Sequence, residues 1–64
     1  MYEIYLDKLV KIVWQDGNMK KAVVGIFSEC DKNFVTIKVD RTGKYITIAI
    51  SAIVTLAEYN SGGF

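Results

Sequence analysis

Between Leu9 and Leu56 the chain is built from short runs in which apolar and polar positions alternate. The runs are cut at Asp16-Gly17-Asn18, Asp31-Lys32-Asn33 and Arg41-Thr42-Gly43-Lys44. A period of two is the signature of a strand with one covered face, and Asp, Asn and Gly clusters mark turns. In the first run, residues 8 to 15, Val10, Ile12 and Trp14 share one face, while Leu9, Lys11, Val13 and Gln15 share the other. Trp14 is therefore expected in the core. The second run, residues 20 to 30, is long for a strand and carries Gly25 at its centre, where a glycine permits a sharp bend or a close backbone approach. In the third, Val35, Ile37 and Val39 alternate with Phe34, Thr36, Lys38 and Asp40.

Residues 45 to 50 and 53 to 58 form the last two runs, separated only by Ser51-Ala52, which leaves room for one turn of 3₁₀ helix. Tyr45, Ile46, Ile48, Ile50, Ile53, Val54 and Leu56 crowd these runs with apolar side chains on both faces, and proline, a natural guard of edge strands, is absent. A strand apolar on both sides needs cover on both sides. These seven residues are the expected contact with a second copy of the chain; the alternative is that the N-terminal segment folds back over them. Tyr2, Tyr5, Leu6 and Leu9 recur at helical spacing, too briefly for a stable helix, and predict a short packed turn. The expected architecture is all-β, a small and strongly bent five-stranded antiparallel barrel with a core over residues 8 to 58 and a frayed tail over 59 to 64.

Sixty-four residues make a single domain, and a domain of this size buries only about 60% of the surface its unfolded chain exposes. Cys30 is the only cysteine, so no internal disulfide can reinforce the fold; it reads as a small hydrophobe near a strand end in a reducing cytoplasm. Without His and without a CxxC pair there is no ligand set for zinc or haem, and no metal or cofactor is expected. With 52% of residues hydrophobic, self-association is the expected source of extra burial. The first eight residues lack the basic and apolar regions of a signal peptide, and no apolar run approaches the roughly 20 residues needed to span a bilayer. The expected location is the cytoplasm.

Catalysis is not expected. A chain with no His has no base for a serine or cysteine nucleophile, the glycines form neither a dinucleotide nor a phosphate loop, and Asp16 and Asp31 fall in turns, where Asp binds nearby backbone amides. An enzyme using carboxylates shared between subunits is the remote alternative. Eight basic against seven acidic residues give a net charge of +1, which excludes nucleic-acid binding by charge alone. Lys20-Lys21 is the densest basic pair. Phe34, in the loop opened by Asp31 and just before an inward valine, is expected to project from the mouth of the barrel, where a ring can stack on a base or anchor a protein partner.

Over residues 8 to 57 this order of signals resembles the Sm/LSm family of Sm-like and Hfq-like proteins. Gly17, Gly25-Ile26-Phe27, Asp31 and Phe34-Val35-Thr36 stand at the places of its first motif, with three extra residues between Gly17 and Gly25 and one in the loop before Phe34. The second motif would fall on residues 48 to 53, and Ala49-Ile50-Ser51 with Ile53-Val54 is similar to the Hfq-like version. The resemblance implies a bent SH3-like barrel, assembled into a ring of about five to seven subunits by main-chain pairing of the fourth strand of one subunit with the fifth of the next. It further implies single-stranded U-rich or A-rich RNA as partner, in an RNA-chaperone or RNA-metabolism role, with Phe34, Thr36, Lys32, Asn33 and Asp31 at the site. Thr36 stands where the family has an RNA-reading Asn and Ala49 where it has Arg; Thr47-Ile48 replaces the Hfq-like Lys-His. A charge-assisted contact is thereby lost. The alternative is an SH3-like structural or protein-interaction module that does not bind RNA.

Overall fold

Each alternating run becomes a strand in the computed structural model, which describes residues 2 to 59. The strands are β1 Leu9–Asp16, β2 Met19–Cys30, β3 Phe34–Val39, β4 Tyr45–Ala49 and β5 Ile53–Glu58. A 3₁₀ turn, Tyr2–Tyr5, precedes β1, and a second, Ile50–Ala52, joins β4 to β5. All pairings are antiparallel within one sheet ordered β4-β3-β2-β1-β5.

This order has a geometric consequence. β4 and β5 are the two outer strands, and in a flat sheet four strand spacings would separate them by roughly 19 Å. Only Ile50–Ala52 connects them, and a 3₁₀ turn advances about 2 Å per residue. The sheet must therefore curl until its outer strands approach. It does so without closing, since β4 pairs only with β3, and β5 only with β1.

Two devices in β2 and one in β5 make the curl. A Cβ on Gly25 would lie 2.7 Å from the Ile37 side chain and would run into the Lys38 carbonyl, so only glycine lets β3 cross β2 this closely. Between Phe27 and Glu29 the register against β3 slips, making Ser28 an extra residue; between Ile53 and Thr55 it slips against β1, making Val54 extra. Such bulges bend the strand and increase its twist. The first hairpin turns through Gly17 at φ +63°, a backbone that glycine adopts without a Cβ clash.

The concave side holds Val10, Ile12, Phe27, Val35, Ile37 and Ile48 as a buried core, with Tyr2, Tyr5, Trp14, Val23, Cys30, Ile46, Ile50, Ile53 and Leu56 packed against it. Cys30 closes β2 as a small apolar side chain, while Trp14, expected in the core, is only partly buried at its margin. The N-terminal turn docks on β2: Asp7 N–H donates to the Phe27 carbonyl at 2.8 Å, Phe27 N–H to that of Lys8 at 2.9 Å, and the Tyr5 ring lies 6.2 Å from the Phe27 ring. The expected tail lies outside the described residues except for Tyr59, whose N–H donates to the Leu9 carbonyl at 2.9 Å.

The expected double-sided apolarity of the last two runs needs correction. Ile48 is part of the chain's own core, and Ile46, Ile50, Ile53 and Leu56 pack against it. Only Tyr45, 61% exposed, and Val54, 48% exposed, face outward. Alternation in β4 is in fact regular, with Thr47 and Ala49 filling the other outward places. The runs looked apolar on both faces because Tyr45 and Ala49 alternate with the isoleucines of β4, and because the extra Val54 in β5 lets Ile53 and Leu56, of opposite parity in the sequence, both pack against the core. What both outer strands leave open is main chain.

Candidate functional site

Asp31 organises the loop between β2 and β3. Its Oδ1 accepts hydrogen bonds from Asn33 N–H at 2.7 Å and Phe34 N–H at 2.8 Å, while Asp31 N–H donates to the Phe34 carbonyl at 2.9 Å. The amides of Asn33 and then Phe34 hold the Asp31 carboxyl below the usual carboxylate range, because bonds to the ionised form favour it. Asp31 is thus occupied as a loop fastener. Its expected place at an RNA site becomes that of a positioning residue.

The fastened loop reaches the second 3₁₀ turn. Ile50 N–H donates to the Asn33 carbonyl at 2.9 Å, and Phe34 pairs in register with Ala49. Between them lies a groove of about 510 Å³ lined by Lys32, Asn33, Phe34, Ala49, Ile50 and Ser51. Phe34 is 47% exposed, and it follows from strand alternation that its ring is on the face opposite the buried Val35. Three of the five expected residues, Lys32, Asn33 and Phe34, are therefore brought together. Thr36 lies one outward position further along β3, its Oγ1 3.3 Å from that of Thr47, and is not part of this lining.

A second hollow, about 690 Å³, adjoins the first and shares Lys32 and Ile50 with it; Tyr2, Glu3, Ile4, Tyr5, Cys30 and Asp31 complete its wall. The N-terminal turn makes one side of it. From the sequence Tyr2, Glu3, Ile4 and Tyr5 carried no functional signal, and only the docking of that turn on β2 draws them to the loop. Neither hollow offers metal chemistry: among the described residues no group of three or more His, Cys, Asp or Glu could hold an ion. Nor is there, among those residues, a helix long and apolar enough to cross a membrane.

The first groove combines an exposed ring, a lysine with no ion-pair partner among the described residues, the Asn33 amide and the Ser51 hydroxyl. Such a set can stack on a planar group and offer it both donors and acceptors. The chain matches no family model, no curated protein and no solved structure.

Proposed function

We propose that the chain is an Sm-like protein that assembles into a ring and binds single-stranded RNA in the groove between the loop 31–34 and the turn Ile50–Ala52. The observation that carries this reading is the meeting of Lys32, Asn33 and Phe34 with Ala49, Ile50 and Ser51 around one groove, with the Phe34 ring half exposed beside it. Phe34 stacks on a base, Lys32 approaches a phosphate, and the Asn33 and Ser51 side chains reach base or sugar edges. Thr36 lies adjacent as a hydroxyl that a longer strand meets. The curled sheet supports the SH3-like barrel of this reading, and its two unpaired outer strands support ring closure, since β4 of one subunit can pair with β5 of the next. The reading assigns the chain no catalytic step.

A protein-interaction module is the second reading. It is favoured by Thr36 and Ala49 in place of Asn and Arg, and by the net charge of +1, which leaves little long-range attraction for a polyanion.

Light scattering on a size-exclusion column, followed by anisotropy titration of labelled ten-nucleotide oligo-U and oligo-A at two salt concentrations, separates the two. The expected result is a particle of about five to seven subunits that binds at least one oligomer, with a log–log salt slope of about −0.7 per phosphate contacted. Phe34→Ala is expected to weaken binding by roughly 1–3 kcal/mol, the worth of one stacked base. An assembled wild type that binds neither oligomer at low salt would overturn the RNA reading; a concentration-independent monomer would overturn the ring.

A further inference from the structure

The β3–β4 ladder carries a feature that the groove does not use. Residues opposite one another in an antiparallel pair share a face, so the outward side reads Phe34, Thr36 and Lys38 on β3 against Ala49, Thr47 and Tyr45 on β4. A large ring stands at each end of this row, and Tyr45 is the more exposed of the two. Between them the floor is low, made of an alanine and two threonines whose hydroxyls face each other.

Four residues of strand separate Phe34 from Lys38, the partner of Tyr45, a distance of about 13 Å. That is roughly two to four internucleotide steps, depending on how far the bases are unstacked, so a dinucleotide does not reach both rings. Lys38 sits beside Tyr45, Lys44 precedes it in the chain, and Lys32 lies at the Phe34 end; none of these lysines, nor Arg41 in the hairpin, has an ion-pair partner among the described residues. Against them stand Glu29, paired with Thr36 from β2, Asp40 in the hairpin, and Asp31, whose carboxylate is held in its ionised form beside Lys32. The charges nearly balance. Lysines without carboxylate partners suit a phosphate chain, and two separated rings over a short polar floor suit flat bases better than an apolar protein surface.

We propose that the outward row of β3 and β4 is a stacking platform for single-stranded nucleic acid, continuing from the Phe34 groove to Tyr45. This rests on the reading of the groove as an RNA site and adds to it a second stacking residue and a minimum ligand length. Pairing at the open edge of β4 uses main-chain groups in the plane of the sheet, so assembly leaves the outward side chains in place.

The test compares labelled two- and ten-nucleotide oligo-U and oligo-A by anisotropy on the assembled protein, with particle mass measured on the same samples. Tyr45→Ala is expected to weaken ten-nucleotide binding by roughly 5- to 150-fold, the equivalent of one lost stack, and to change two-nucleotide binding less than about twofold; Tyr45→Phe is expected to bind like wild type. Lys38→Glu, on β3 and away from the open edge, is expected to weaken the longer ligand selectively and decides the matter should Tyr45→Ala fail to assemble. Wild-type affinity for the long oligomer in Tyr45→Ala, or in Lys38→Glu where that variant decides, overturns the platform and leaves the groove standing. Equal loss at both lengths in an intact assembly also overturns it. A wild type that binds neither length overturns platform and groove together.

Discussion

Asp31 shows how one side chain can matter to a site without touching a ligand. Its carboxylate satisfies two backbone amides that would otherwise face solvent, and in doing so fixes the loop carrying Lys32, Asn33 and Phe34. The folded-state pKa is depressed; the sign of linkage is therefore that the ionised carboxylate stabilises the fold above its ordinary pKa, and that this contribution is lost as pH falls through the depressed value. Asp31→Ala is expected to lower the thermal midpoint at pH 7, and the difference from wild type is expected to shrink below about pH 4, near the unperturbed carboxylate pKa. Thermal melts of both proteins from pH 7 to pH 2.5 check this; a constant difference across that range would show that the ionised carboxylate is not the fastener. The turn preference of Asp was legible in the sequence, and so was the exposure of Phe34. The resemblance set Ala49 at the place of the pocket Arg; Ile50 was read only as a subunit contact and Ser51 as a connector, because their approach to the loop depends on a bond between Ile50 and Asn33 across 17 positions of chain.

Among the elements, β2 decides the shape of the sheet. Gly25 stands where β3 passes too close for any side chain, with Ile37 and the Lys38 carbonyl against the place a Cβ would take. Gly25→Ala is expected to destabilise the protein by about 1–3 kcal/mol, as overpacking does, measurable as a lower urea midpoint; an unchanged midpoint would mean the two strands can separate at no cost. All five strands and both 3₁₀ turns could be read from alternation and turn residues, because each strand has one face on the core. Bulges could not. Ser28 and Val54 are ordinary residues in uninterrupted runs, and only pairing with β3 and β1 reveals that each has no opposite number. The same blindness hid the face of β5: across the extra Val54, Ile53 and Leu56, of opposite parity in the sequence, both pack against the core.

For the molecule as a whole, the two open strands are the outstanding property. Val54 is half exposed and is the extra residue of β5, an outer strand whose second edge has no partner in the sheet. Val54→Lys is expected to place a charge where a neighbouring β4 would pair, shifting the particle toward monomer while changing protomer stability by no more than about 0.5 kcal/mol. Light scattering gives the mass, and melts over a hundredfold dilution series give the linkage: the wild-type midpoint is expected to fall with dilution and that of Val54→Lys to stay level. A wild-type midpoint independent of concentration would speak against assembly. The pairing of β1 also governs the order in which the fold can form. Its partner on one side, β2, follows after a two-residue turn, but its partner on the other, β5, comes only after β2, β3 and β4 in the chain. Closing that second ladder must overcome the entropy of a loop spanning most of the chain, the kind of step that slows β-rich domains. During synthesis β1 therefore keeps one side unpaired until β5 has emerged, a temporary edge open to misplaced pairing.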